Sequence, residues 1–268
     1  MKYMTFNSSC SYAGVANMLE GYGVNVEDRQ IALDMGLPYL FSYENGAYCS
    51  GPMLQTAKWF NLYLKPRGFS MTEIRLLRAE TCDFIKDVGS AMLGLALSPQ
   101  GKHAVVYMGM EGTCYKFLNN KPAHSPEQEI ILLTREKLLS LLGDSVTVAL
   151  LQKDLPLAVD LTPYFQESAE ILLKLKQDIA AFCSREQSPQ ALRAAQNTIF
   201  RALLLDGITM LELLGNEEPR KTLKFVQGEL LTALKENKTL VLADRLSINR
   251  LEGAIDTYRE LIQAQSSR

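Results

Sequence analysis

The chain has 268 residues, of which 47% are hydrophobic and 22% charged, and this balance excludes a disordered chain and predicts a globular protein with a sizeable core. At roughly 100–200 residues per domain, the length favours two domains. A net charge of −2 without a block of lysine and arginine argues against nucleic acid or an anionic membrane as a partner.

Targeting signals and metal motifs are missing from the sequence as well. The first seven residues lack the apolar stretch of a secretory signal, and no run reaches about 18 uninterrupted apolar residues, so we expect a cytoplasmic protein. The five cysteines form no CxxC pair, which predicts reduced thiols rather than disulfides or a zinc site. No Gly-rich phosphate loop is present. We therefore expect neither a metal nor a cofactor.

The N-terminal part favours helices. Asn7-Ser8-Ser9 can cap a helix, and apolar residues recur at spacings of three and four from Cys10 to about Tyr22, which predicts an amphipathic helix with Cys10 in its first turn. Glycines at positions 21 and 23 are expected to end it. Further helices are predicted over 26–35 and 52–60, with an irregular stretch over 36–51 between them.

Strands are predicted next. Short apolar runs over 90–97 and 103–110 are bounded by the turn residues Pro99-Gln100-Gly101 and Glu111-Gly112-Thr113, as is typical of hairpins. The run over 114–118 is expected to pair with 103–110, and another strand is predicted over 146–152. Helices followed by an antiparallel sheet predict an α+β fold.

Beyond Pro156 the strand pattern ends. Segments 162–184, 189–214, 219–237 and about 240–264 carry apolar residues at helical spacing, and a proline stands near the start of three of them, where it is tolerated. Four such helices predict an all-α bundle or helical arm. We therefore predict domains over 1–153 and 154–268.

Three residues are candidates for thiol catalysis, which needs a thiolate, a nitrogen base and a group that holds the imidazole. Cys10 is the best nucleophile, because the partial positive charge of a helix N-terminus lowers a thiol pKa. His103, one of only two histidines, opens a strand, and Asn119 ends the next one. Asn120 is an alternative for the third position. Taken singly, each residue is equally consistent with a structural role.

The order of these residues resembles papain-like cysteine peptidases, and more closely the bacteriocin-leader-processing peptidases and the N-terminal domain of the butirosin biosynthesis protein H family. The matching stretches share the family's order of a helix-starting cysteine, a glycine-rich continuation, a histidine strand and an asparagine at the end of the next strand. They are Asn7-Ser8-Ser9-Cys10-Ser11-Tyr12-Ala13-Gly14, Gly21-Tyr22-Gly23, Gly51 to Phe60, Gly101-Lys102-His103-Ala104-Val105-Val106, and Tyr115-Lys116-Phe117-Leu118-Asn119-Asn120.

The resemblance covers about residues 6–151 and implies a papain-like domain with Cys10 as nucleophile, His103 as base and Asn119 as the residue that orients the base. The family's oxyanion-hole glutamine normally stands a few residues before the cysteine, and Asn7 is the only amide there. The resemblance therefore assigns the oxyanion hole to Asn7. Ser11 also replaces the glycine that commonly follows the cysteine.

Other residues are weaker candidates. Cys49 lies in the loop-like stretch Gly46-Ala47-Tyr48-Cys49-Ser50-Gly51 and His124 in Pro122-Ala123-His124-Ser125-Pro126. We consider both, together with Asn120, as substrate contacts. Glu127 and Glu129 are interpreted as solvated charges.

Two functions stay open on this evidence. The first is a cysteine-dependent hydrolase or acyltransferase that acts through a Cys10 thioester on a peptide, an amide or an acyl thioester; by analogy with the butirosin protein, the donor would be bound to a carrier protein. The second is a catalytically silent papain-like binding module whose helical domain recruits a partner, which the missing glutamine motivates. In either case the helical domain is a candidate homodimer interface.

Overall fold

The computed structural model describes residues 1–98 and 101–266. The helices are α1 (Cys10–Glu20), α2 (Asp28–Asp34), α3 (Ala57–Leu64), α4 (Arg78–Val88), α5 (Arg135–Leu141), α6 (Thr162–Cys183), α7 (Pro189–Ala195), α8 (Ile208–Leu213), α9 (Glu217–Glu236) and α10 (Ile248–Ser266). The strands are β1 (Phe41–Glu44), β2 (Ala47–Ser50), β3 (Phe69–Leu77), β4 (Ala91–Ser98), β5 (Gly101–Glu111), β6 (Cys114–Asn119), β7 (Ile130–Leu133), β8 (Ser145–Lys153), β9 (Glu186–Gln187) and β10 (Leu240–Val241).

The chain divides into two compact units, each of which is described by itself. The first comprises residues 1–35 and 55–159, and the second comprises residues 36–54 and 160–268. The sequence analysis places the division near 153 and assigns every earlier residue to one domain. The compact units differ in that residues 36–54 belong with the C-terminal helices.

The first unit is built on a six-stranded antiparallel sheet of order β3-β8-β4-β5-β6-β7. Alternate residues of its central strands, such as Leu93, Val105 and Phe117, form an apolar core with Cys82 and Ile85 of α4. This is the alternation expected of a sheet that buries one face against helices.

Helix α1 packs against β4 and β5 on the opposite face of the sheet. A methyl group at Gly14 would lie 2.5 Å from Met92 Sδ and 2.8 Å from Asn120 Nδ2, so glycine is required for this approach. Met92 precedes Leu93 in β4, and neighbouring side chains of a strand point to opposite faces. The helix that carries Cys10 is therefore held close to the strands that carry His103 and Asn119.

The second unit combines the C-terminal helices with the β1–β2 hairpin. Helix α6 packs against α10 and against β1. The Phe41 N–H donates to Ser168 Oγ at 2.9 Å, and Tyr258 Oη donates to the Pro38 carbonyl at 2.7 Å. Between α7 and α8 the helix continues with π-helical geometry over Gln196–Phe200 and Ala202–Gly207.

Most predicted elements of the first unit are found with shifted ends, and the mixture of helices and antiparallel sheet is confirmed. Helix α3 starts five residues later than the predicted position 52, because a 3-10 turn occupies Gly51–Met53. The stretch 36–51 is not irregular, since it contains the antiparallel hairpin β1–β2. Pro99 and Gln100 of the predicted turn lie outside the described residues.

The predicted C-terminal helices correspond to α6, the α7–α8 run, α9 and α10. The last of them begins at Ile248 rather than near 240. Leu240 and Val241 instead pair with β9 in a short antiparallel ladder. Within residues 1–98 and 101–266, no helix has the length and apolar character needed to cross a membrane.

Candidate active site

Cys10 is the first residue of α1, as predicted from the sequence. Ser9 stands at the N-cap position, but its side chain makes no capping hydrogen bond, which corrects the predicted capping role. Its hydroxyl oxygen instead lies 2.6 Å from Asp28 Oδ2 and 2.7 Å from the Phe6 carbonyl oxygen, and its one proton donates to either of them. The segment that precedes Cys10 in the sequence is thus hydrogen-bonded to the buried carboxylate of Asp28.

Asp28 is fully buried and holds this segment through several hydrogen bonds. Besides Ser9, it accepts from the Thr5 N–H at 2.8 Å, from the Thr5 hydroxyl and from the Arg29 N–H at 2.6 Å. Buried carboxylates are stable only when their oxygens are satisfied in this way. Asp28 is therefore a positioning residue for the start of α1, a role the sequence analysis did not identify.

His103 and Asn119 lie on neighbouring strands. Val105 of β5 pairs with Asn119 of β6, and side chains two residues apart on a strand share one face. His103 and Asn119 are therefore diagonal neighbours across the ladder. Both the thiol of Cys10 and the amide of Asn119 lie close enough to His103 to affect its ionisation.

The pKa values of the thiol and the imidazole are displaced in opposite directions. Burial acts to raise the pKa of Cys10, but hydrogen bonds from His103 and from the Ala104 N–H, with the charge of the imidazole, outweigh it and lower the pKa. Burial acts to lower the pKa of His103, but the hydrogen bond and charge of Cys10 raise it, with a further contribution from Glu127. Such displacements favour a thiolate–imidazolium pair.

Three other thiols contrast with Cys10. Burial is the largest cause that raises the pKa of Cys49 and of Cys82, and it raises the pKa of Cys183 to about 12. A raised pKa keeps a thiol protonated and unreactive at neutral pH.

The two adjacent asparagines have different surroundings. Asn119 Nδ2 donates to the Gln128 carbonyl at 3.0 Å and approaches Glu127 Oε2 at 3.4 Å, so its amide oxygen is the atom left for the histidine. Asn120 Nδ2 donates to the Ala104 carbonyl, and its Oδ1 accepts from Asn17 Nδ2, both at 3.0 Å. Asn120 thus joins α1 to β5, and Asn119 is the one beside the imidazole.

His103 Nε2 and Asn119 Oδ1 are both buried without a regular hydrogen bond. Among the described residues of the first unit, these are the two buried polar side-chain atoms in that condition. Unpaired buried polar atoms cost free energy, and these two are near enough for Asn119 to raise the pKa of His103.

A cleft of about 330 Å³ opens beside Cys10. This volume is at the lower end of the range of ligand sites. Its walls combine hydroxyl, amide and apolar groups with one carboxylate and one ammonium group: Cys10, Ser11, Gln55, Thr56, Glu73, Met92, Leu93, Gly94, Lys102, Ala104, Ser145, Val146, Thr147 and Ala149. The thiol therefore faces a space that a small substrate group can enter.

His103 and Asn119 are not among the cleft-lining residues, and, the nucleophile apart, neither are the other predicted site residues. Asn7 is exposed and is not among the cleft-lining residues. Cys49 belongs to β2 of the second unit rather than to a loop. His124 is exposed in the segment between β6 and β7. No cluster of three or more metal-binding side chains occurs in the part of the chain that the structure describes.

Gln55 is a cleft residue that the sequence analysis missed. Its Oε1 accepts a hydrogen bond from Ser11 Oγ at 2.9 Å, which places it beside the residue that follows Cys10. Sequence reasoning did not select Gln55 because it stands far from Cys10 in the sequence. It also lies within a segment predicted to be helical, where glutamine is an ordinary residue.

Comparisons with known proteins give distant structural likenesses. No family model matches the chain, and no curated protein matches its sequence. Among solved structures, the chain is similar to the peptidase domain of Streptococcus ComA, which is described as a bi-functional ABC transporter involved in a quorum sensing pathway. The superposition has a TM-score of 0.42 and 13% identity, and covers 57% of this chain and 96% of that domain. A likeness of this degree assigns no activity.

Proposed function

We propose that this protein is a papain-like cysteine hydrolase or acyltransferase in which Cys10 is the nucleophile, His103 the base and Asn119 the residue that orients the base. One observation carries the proposal: the thiol at the start of α1 and the imidazole of His103 lie near enough to displace each other's pKa in opposite directions. The cleft next to the thiol supports it.

The proposed reaction proceeds through a thioester. The Cys10 thiolate attacks the carbonyl carbon of a peptide, amide or acyl thioester, and the S–C bond forms as the carbonyl oxygen becomes an oxyanion. His103 donates its proton to the leaving nitrogen or sulfur as the bond to the acyl group breaks. Water or an amine then attacks the thioester, and its proton passes to His103 as Cys10 leaves as thiolate.

Selective alkylation tests the thiol. Intact mass spectrometry after substoichiometric iodoacetamide should show Cys10 labelled first, because alkylation requires the thiolate. Cys49 is the matched internal reference, since it is also partly exposed but has a raised pKa. In His103→Ala the preference for Cys10 should disappear. Equal, slow labelling of all partly exposed thiols in the unmodified chain would contradict the proposal and favour a binding module.

The acyl acceptor is tested with the same protein. An acyl-enzyme formed from p-nitrophenyl acetate is chased with buffer alone or with glycinamide, and the products are quantified by mass spectrometry. Release of acetate alone assigns a hydrolase, and formation of acetylglycinamide assigns an acyltransferase. A carrier-bound donor and a homodimer formed through the helical domain stay predictions; light scattering tests the second.

A further inference from the structure

The proposed chemistry requires a donor for the oxyanion that forms when Cys10 attacks a carbonyl. Helix α1 supplies part of it, because the first N–H groups of a helix have no partner within the helix. The residue that the sequence suggests for the remainder, Asn7, is not among the residues that line the cleft. The cleft therefore needs another donor.

Gln55 supplies a side-chain amide to this cleft. It lines the same cleft as Cys10 and Ser11, although it follows them by more than forty positions. The Gln55 side chain is exposed rather than packed in the core, so it is available to a ligand. Of the cleft-lining residues, it is the one with a side-chain amide.

The orientation of the Gln55 amide is fixed by a hydrogen bond. Ser11 Oγ donates to Gln55 Oε1 at 2.9 Å, so the oxygen is used by the wall of the cleft. The Nε2 hydrogens stand on the other side of the amide group, where they are available as donors. The Ser11 hydroxyl also lies close to the thiol of Cys10, which places thiol, hydroxyl and amide side by side.

We propose that the side-chain amide of Gln55 is the oxyanion donor of this enzyme, acting with the N–H groups at the start of α1. The inference rests on the proposed function of Cys10. It assigns the donor role to a residue that follows the nucleophile in the sequence. It also explains the contact with Ser11, because the Ser11 hydroxyl holds the Gln55 amide in the donating orientation.

The test separates formation of an oxyanion from reactivity of the thiol. Acetylation by p-nitrophenyl acetate forms an S–C bond through an oxyanion and releases p-nitrophenolate, whereas alkylation by iodoacetamide displaces iodide without one. Gln55→Glu keeps an acceptor for Ser11 but removes the donor. We expect acetylation of Cys10 to be about 10²-fold slower in this variant, with the alkylation rate of Cys10 within about threefold of the unmodified chain.

Gln30→Glu is the matched control, because Gln30 is exposed on α2 and does not line the cleft; its acetylation rate should be unchanged. Retention of fast acetylation in Gln55→Glu would overturn the inference while leaving the proposed function intact. Loss of acetylation in Asn7→Ala instead would overturn it in favour of the sequence-based assignment. An unmodified chain that shows neither selective alkylation nor acetylation of Cys10 would overturn both proposals.

Discussion

The thiol of Cys10 and the imidazole of His103 define a pH window for the proposed reaction. The pKa of the thiol lies below its usual value, so the thiolate persists down to a lower pH than in a free cysteine. The pKa of His103 lies above its usual value, so the imidazolium persists to a higher pH. Because the protonation of Cys10 and the protonation of His103 depend on each other, the two pKa values that bound this pH window are properties of the pair rather than of either residue.

The first prediction concerns this window. The rate of Cys10 acetylation should be bell-shaped in pH, with the acid limb set by the pair's lower pKa and the alkaline limb by its higher one. Burial lowers the pKa of His103, whereas Cys10 and Glu127 raise it. Removal of the negative charge in Glu127→Gln should therefore move the alkaline limb to lower pH and leave the acid limb nearly in place. An unchanged alkaline limb would show that Glu127 does not act on the imidazole.

The second prediction separates the two asparagines. Asn119→Ala should slow acetylation by roughly 10–10²-fold, part of the 10²–10⁴ that general acid–base catalysis contributes, and should cost less stability than Asn120→Ala, because the Gln128 carbonyl that loses its donor belongs to an exposed residue. Asn120→Ala should reduce the free energy of unfolding, because the Ala104 carbonyl loses its donor and one of the two Asn17 Nδ2 hydrogens loses its acceptor, while the other still donates to the Lys2 carbonyl. The expected cost is about 1–3 kcal/mol for each buried group left unpaired. Urea unfolding and acetylation rates measured on both variants check the two expectations, and a stability loss in Asn119→Ala alone would reverse the assignment.

Sequence and structure agree unevenly at this scale. Residue types and their order suggest Cys10, His103 and Asn119, because thiol catalysis uses few side chains. They do not distinguish Asn119 from Asn120. Only the pairing of β5 with β6 decides which of the two side-chain amides lies beside the His103 ring. They also miss Gln55 and Asp28, whose contacts depend on folding.

Helix α1 is held against the sheet by a close contact at Gly14. A side chain at this position would meet Met92 Sδ at 2.5 Å and Asn120 Nδ2 at 2.8 Å. Met92 is flexible, but Asn120 is fixed by its hydrogen bonds to Ala104 and Asn17. An added methyl group must therefore move the helix or break this network.

The third prediction is that Gly14→Ala destabilises the protein by about 1–3 kcal/mol, the usual cost of overpacking. This is opposite in sign to the effect of the same change in an open helix. Gly253→Ala in α10 is the matched control, because nothing lies within 4 Å of the added group; it should stabilise by roughly 0.5–1 kcal/mol. Urea unfolding measures both, and equal stabilisation would show that α1 does not approach the sheet as described.

Helices and strands could be predicted from the sequence where their periodic pattern was long or their residues were strongly apolar. Helices α1 and α6 and strands β4, β5 and β8 belong to this class. Strand β3 lies at the edge of the sheet, and its second half is largely exposed, so it carries no continuous apolar run. Helix α5 and strand β7 have seven and four residues, which is too short for a periodic pattern to emerge.

At the scale of the whole chain, residues 36–54 are an excursion of the N-terminal part into the second unit. Their partners are distant in sequence: Phe41 meets Ser168 across 127 positions, and Pro38 meets Tyr258 across 220. Local sequence patterns do not predict contacts between residues that are so far apart in the chain. The sequence therefore predicts a single cut near residue 153, whereas the compact units require the chain to pass between them three times.

The fourth prediction follows from this division. A fragment of residues 1–159 keeps the excursion but lacks its partners, and side chains that are at most 1% exposed in the full chain would meet water, namely Leu37, Leu40, Phe41 and Leu54. Each such side chain contributes about 1.5–3 kcal/mol when buried. The fragment should bind a hydrophobic dye strongly and aggregate at lower temperature than the full chain. A cooperative thermal transition without dye binding would contradict this.

The excursion also sets an order of events during synthesis. The hairpin β1–β2 leaves the ribosome well before α10, whose Tyr258 follows its partner Pro38 by 220 positions. At 5–20 residues per second, the nascent hairpin waits on the order of 10–40 s with its apolar side chains uncovered. During that interval it is an apolar segment of the kind that chaperones bind.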